Sequence, residues 1–189
     1  MGGNARITTV FAILGGLFVL PFSASAWEME GTKTIALSTR DGQSIDIGTV
    51  SFTPKDGKIG FDIALDLAKF KDYFLSMKEF KCLDGGVEVQ CYVPYPYDNP
   101  HEVTADNLAW LEHSLLFLFK NPSEFGAKLW NGLYYRMTVT DQGIVGAPKA
   151  VDLNEIAAPP PDPSVPPFGA VQQGDIPAGT RWITGLTIK

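Results

Sequence analysis

Two histidines and two cysteines in 189 residues leave little material for metal or nucleophile chemistry. His101-Glu102 begins the zinc-protease pattern, but that pattern needs a second histidine where Ala105 stands, and His113 sits in no motif either. A Gly-x-Ser-x-Gly elbow, a phosphate-binding glycine loop, a dinucleotide fingerprint and a Cys-x-x-Cys pair are all absent. No catalytic residue, metal ligand or cofactor is therefore expected. Asp62 and Asp66, which share a strand face, are the one carboxylate pair an unfamiliar enzyme would have, and they read more simply as solvent-facing charges.

Positive charge is also scarce. Fifteen Lys and Arg against 21 Asp and Glu give a net charge of −6, which repels polyanions, so nucleic acid is not an expected partner. Long apolar runs are lacking after residue 20, so no transmembrane segment is expected beyond the N-terminus. The single early run, from Ile7 to Leu20, covers only ~21 Å at ~1.5 Å per residue, short of a ~30 Å hydrocarbon core. It follows Arg6 and precedes Pro21 and the small residues Ser23, Ala24, Ser25 and Ala26, the order of a cleavable secretory signal over residues 1–26. The expected location is periplasmic or secreted. The mature chain would start at Trp27 and fold in an oxidising compartment.

Export gives Cys82 and Cys91 a natural reading as one disulfide closing a hairpin around Asp84-Gly85-Gly86. Cross-strand partners in a hairpin have a constant index sum. A two-residue Gly85-Gly86 turn would set Cys82 opposite Val89 and leave Cys91 out of bridging reach. A bridge therefore requires either a four-residue loop from Gly85 to Glu88 or a bulge.

Ile59, Phe61, Ile63, Leu65 and Leu67 alternate with Lys58, Asp62 and Asp66, the clearest strand in the chain. Before it, Ile45 and Ile47 share one parity and Val50 and Phe52 the other, with a bulge expected at Gly48 where the phase changes; Ile35 and Leu37 mark an earlier strand. Leu67, Phe70, Phe74 and Met77 have helical spacing and predict a short amphipathic helix. Thr104 can cap a second helix carrying Leu108 and Leu111. Leu115 to Phe119 suits either a continuation of that helix or a buried strand, and we favour a helix to about His113 followed by a strand. After a helical turn near 123–130, Leu133, Tyr135, Met137 and Val139 alternate with Tyr134, Arg136, Thr138 and Thr140. Tyr134 and Tyr135 fall on opposite faces, so at most one is expected in the core. Asp141-Gln142-Gly143 turns this strand into a partner from Ile144 to Leu153.

Six of the 14 prolines lie between Pro159 and Pro167. Residues 159–189 thus read as a proline-rich linker and tail, which docks as an edge strand at most, after one globular domain over 27–158. The expected fold is α+β: mainly an antiparallel β meander or partly open barrel with two or three short helices.

The most distinctive segment is CYVPYPYDNPHE, in which Tyr92, Tyr95 and Tyr97 are interleaved with prolines that stiffen the backbone. These rings form a candidate recognition surface, or else pack inward as a lid. Tyr134 and Arg136, on the polar face of their strand, are a second candidate. The segments FLSMKEFKC, CYVPYPYD and NPSEFGAKLWNGLYYRM resemble an uncharacterised family of small exported proteobacterial proteins, over about residues 28–158. The resemblance implies a periplasmic or secreted setting and carries over no activity. The leading expectation is a non-catalytic exported binding domain for an envelope or extracellular protein, peptide or glycan. Alternatives are a barrel that carries a small apolar ligand and an enzyme of unfamiliar type using Asp or Glu.

Overall fold

A computed structural model of the chain describes residues 1–2, 27–75 and 78–189. The secretory signal expected over 1–26 lies, apart from its first two positions, outside the described residues. The chain builds β1 (Gly31–Thr39), β2 (Ser44–Lys55), β3 (Lys58–Leu65), β4 (Lys71–Leu75), β5 (Lys78–Asp84), β6 (Val89–Val93) and β7 (Glu102–Val103). A short α1 (Ala109–His113) follows, then β8 (Leu116–Lys120), β9 (Gly132–Thr140), β10 (Gly143–Val151), β11 (Gly174–Asp175) and β12 (Ile183–Ile188).

All ladders are antiparallel, in the order β4-β5-β6-β8-β9-β10-β12-β1-β2-β3-β7, with β11 beside β10. The α+β class is overturned. Among the described residues there is one α-helix of five residues, together with isolated 3₁₀ turns, on a mostly β protein.

The predicted helix from Leu67 is a 3₁₀ turn, Leu67–Lys69, followed by the β4–β5 hairpin. Helical spacing of apolar residues coexists there with strand alternation: Leu75 is buried and Tyr73 half-buried on one parity, while Asp72 on the other is exposed. Pairing with β5 also gives Lys71 and the Tyr73 hydroxyl a shared partner in Asp84, at 3.2 and 2.9 Å. Thr104 does not cap α1. It exchanges backbone bonds with Asn107, whose side chain instead accepts the Ala109 N–H at 3.1 Å. A helix to His113 followed by a strand is what the chain forms across 109–120.

The disulfide joins Cys82 and Cys91, which face each other across β5 and β6, with Leu83 opposite Gln90 and Asp84 opposite Val89. Gly85 to Glu88 form the four-residue loop, closed by the Gly85 N–H donating to the Glu88 carbonyl at 3.0 Å. A disulfide is consistent with an oxidising compartment. No helix among the described residues is long and apolar enough to cross a membrane. The bulge stands at Gly48, where the β1–β2 register shifts. Its φ is +153°, and a Cβ there would lie 2.3 Å from the Ala64 carbonyl oxygen, so only glycine fits.

The C-terminal segment departs furthest from expectation. Strand β12 is not an edge or a tail: Ile188 pairs with Ile35 on β1 and Ile144 on β10, and Leu186 with Leu37 and Gly146. The prolines of 159–167 serve as a surface strap that returns the chain to the middle of the sheet. Phe168, just beyond them, is 1% exposed.

The sheet coils until β1, β2, β3, β8, β9, β10 and β12 contribute to one core on its inner face, including Leu37, Val50, Phe61, Phe117, Tyr135 and Ile188. A smaller core on the outer face gathers the disulfide, Leu116, Leu118, Tyr134, Leu153 and Phe168. This second core corrects the expectation for β9. Tyr134 and Tyr135 do lie on opposite faces, yet both are fully buried because both faces are covered.

Candidate functional site

The coiled sheet does not close: among the described residues no ladder joins β3 or β7 back to β4, β5 or β6. A groove of about 570 Å³ occupies that seam. Phe61, Asp62, Ile63 and Leu65 of β3 form one wall, and Tyr92 with the proline-stiffened loop through Tyr95 and Tyr97 forms the other. The alternation that makes β3 a strand sends Phe61 into the core and leaves Ile63 and Leu65 half-buried at the opening. Leu67, just past the strand, lines the same groove while 46% exposed.

The loop is held by bonds at its ends. The Asn99 amide donates to the Trp110 carbonyl at 3.1 Å and the Ser114 hydroxyl at 2.9 Å, tying the loop to the end of α1. The Tyr92 hydroxyl donates to the Ser114 carbonyl at 3.2 Å, and Tyr97 to the Ile156 carbonyl at 3.1 Å. Tyr95 packs edge-on against Tyr97 and His113, with Trp110 beside it. Its hydroxyl is buried without a partner among the described residues, and burial pushes its pKa above the ordinary tyrosine value. The three tyrosines are thus half-buried: their hydroxyls point into the protein while parts of their rings line the groove.

His101 closes one end, stacked on Phe61 with centroids 5.2 Å apart and planes 2° from parallel. Its left-handed φ of 54° turns the chain out of the loop and into β7, and its N–H is taken by the Asn99 side chain at 2.8 Å. The groove's charge comes from Asp62 and Asp98, both exposed; no Lys or Arg lines it, and neither carboxylate has an ion pair among the described residues. Aromatic faces beside uncompensated carboxylates favour a ligand carrying positive charge.

Of the residues singled out in the sequence, Tyr92, Tyr95 and Tyr97 are brought together on one groove. Sequence reasoning missed Phe61, Ile63 and Leu65 as lining, because strand parity alone sends them to the core. Asp62 and Asp66, considered as a pair, separate: Asp62 lines the groove and Asp66 lies 3.7 Å from the Lys69 ammonium.

Tyr134 and Arg136 do not belong to this site. Tyr134 lies under α1, where its hydroxyl donates to the Glu112 carboxylate; burial and that carboxylate push its pKa far up. The other Glu112 oxygen accepts the Met137 N–H at 2.6 Å, and exposed Arg136 approaches to 3.8 Å. Glu112 is 1% exposed and fully engaged, a structural carboxylate that ties the helix to β9.

A second groove of about 430 Å³ lies at another end of the sheet, beside Trp130 and Trp182. It holds two ion pairs: Arg181 covers the Phe119 ring at 3.7 Å and meets Glu88 at 3.1 Å, and Lys128 meets Glu124 at 2.7 Å, while Arg40 and Lys120 donate to the backbone carbonyls of Gly179 and Glu124. Burial raises the Glu88 pKa and Arg181 opposes that shift. Arg40 and Lys120 line it without a carboxylate ion pair among the described residues, so this groove is net positive where the first is net negative. The chain matches no family model, no curated protein and no solved structure.

Proposed function

We propose that this chain is an exported, non-catalytic binding domain that recognises its partner, a protein, peptide or glycan, through the groove between β3 and the Tyr92–Tyr97 loop. The observation that carries this reading is the convergence of three tyrosines, an apolar strand wall and two unpaired carboxylates on one opening. The groove wall is preorganised by the Asn99, Tyr92 and Tyr97 bonds, which lowers the ordering cost of binding. The disulfide agrees with the exported setting. A carrier role has less support, since the barrel interior is occupied by bulky side chains such as Phe117 and Tyr135.

The test compares the mature chain with Tyr95→Ala/Tyr97→Ala and, as a surface variant, Leu67→Lys, in cross-linked capture from an envelope fraction. Loss of the same captured partner in both, with Leu67→Lys retaining the parent melting temperature, is the expected result. A captured set unchanged in folded variants would sink the groove as the binding site.

A further inference from the structure

Strand β3 is paired along its whole length with β2, but on its other edge only Ile59 and Gly60 have strand partners, in β7. The Phe61 N–H also points to that edge, donating to the His101 carbonyl at 2.9 Å. Successive strand residues turn their backbone groups to opposite edges, so those of Ile63 and Leu65 point the same way as Phe61. Asp66, of the other parity, donates instead to the Ile47 carbonyl on the β2 side at 2.8 Å, as the alternation requires. Among the described residues no strand continues the line of β7 past Ile63 and Leu65, since the chain turns away at His101. Two residues' backbone donors and acceptors are therefore open along the groove wall.

We propose that this edge accepts an added β-strand, supplied by an extended peptide with alternating basic and apolar side chains. The inference rests on the groove reading above and narrows its ligand. An added strand would form main-chain bonds with Ile63 and Leu65 along ~13 Å, about four residues at ~3.3 Å each. Its alternate side chains would meet Ile63, Leu65 and Tyr92 on the inner side, and Asp62 on the other. Charge selects a basic partner, because Asp62 and Asp98 have no cation in the groove. Charge also disfavours a second copy, whose own β3 would bring another Asp62 to the same edge, in a chain of net charge −6.

The probe is a labelled heptapeptide alternating Lys and Val, measured by fluorescence polarisation against the full mature chain. Two controls accompany it: the same peptide N-methylated on alternate residues, and a Glu-Val version. We expect saturable binding of the first and at least ten-fold weaker binding of both controls. Amide exchange at Ile63 and Leu65 should be fast in the free protein and slow in the complex, while Asp62 and Ala64 are slow in both. Ile63→Pro deletes the outward N–H without touching the β2 ladder, and it should lose binding; if that variant fails to fold, the N-methylated peptide carries the test. Equal affinity for the N-methylated peptide would overturn strand addition while leaving the groove reading intact. Absence of binding by the Lys-Val peptide would overturn the inference, as would Ile63 and Leu65 protected in a peptide-free dimer, which assigns the edge to a second copy. The groove reading itself stands or falls on the tyrosine and Leu67 variants, so the two failures are distinguishable.

Discussion

The imidazole of His113 lies nearly flat on the ring of Phe168, 5.4 Å between centroids and 13° between planes, and its Nε2 accepts the Phe168 backbone N–H at 3.1 Å. That bond fixes the tautomer. With Nε2 an acceptor, Nδ1 carries the proton and donates to the Ala109 carbonyl at 2.7 Å. The neutral ring thereby fastens the proline strap to α1, fifty-five residues away in sequence.

Burial lowers the His113 pKa from its ordinary 6.5 to about 4, with the Ala109 bond opposing the shift. Between those values the unfolded chain takes up a proton that the folded chain does not, so folding stability falls as pH drops from about 6.5 towards 4. The loss is on the order of 3 kcal/mol and levels off below pH 4. Urea titrations from pH 7 to pH 4 should show this decline, and His113→Gln should flatten it. An equal slope in that variant would assign the acid sensitivity to other groups.

The three loop tyrosines should respond differently to loss of their hydroxyls. Tyr92→Phe and Tyr97→Phe each remove a bond to a carbonyl and should cost about 1 kcal/mol. Tyr95→Phe removes a buried hydroxyl without a partner and should leave stability unchanged or raise it by up to about 1 kcal/mol. Chemical denaturation of the three variants checks the order; a Tyr95→Phe protein as weak as the others would mean that its hydroxyl is satisfied.

Gly85 sits under the indole of Trp182, where an added Cβ would come within 2.3 Å of the ring. Gly85→Ala should therefore displace Trp182 and cost roughly 1 to 3 kcal/mol. In a Trp182→Ala background the same substitution should cost much less. A double-mutant cycle without that coupling would show the damage to be local to the 85–88 loop.

Ending the chain at Ala158, the boundary that composition suggests, should abolish folding. It removes β12 from between β1 and β10, together with the buried Ile183, Leu186 and Ile188. Near-ultraviolet circular dichroism of residues 27–158 should lack the tertiary signal of the mature chain. A cooperative thermal transition in that fragment would contradict the central placement of β12.

Strand β3 was readable because only one of its faces meets a core, so polar residues mark the other. Tyr134 was misread for the complementary reason: β9 is covered on both faces, and alternation cannot reveal a second core. The stretch after Leu67 carries two periods at once, and pairing with β5 decided between them. Of the groove, the tyrosines stood out through the prolines between them, whereas Ile63 and Leu65 gave no local sign that a seam would open beside them.

Local and covalent constraints were determined by sequence alone: the β3 alternation, the bulge at Gly48, and the exclusion of a two-residue turn between Cys82 and Cys91. Each depends on backbone geometry within a few residues or across one hairpin. Tertiary structure decided which edges pair and which stay open. It placed β12, after a run of prolines, at the centre of the sheet, because β1 and β10 each needed an antiparallel partner and the buried Ile183, Leu186 and Ile188 supplied the apolar face. It also left the outer edge of Ile63 and Leu65 unpaired. No local pattern encodes that vacancy, since an open edge depends on where every other strand has gone.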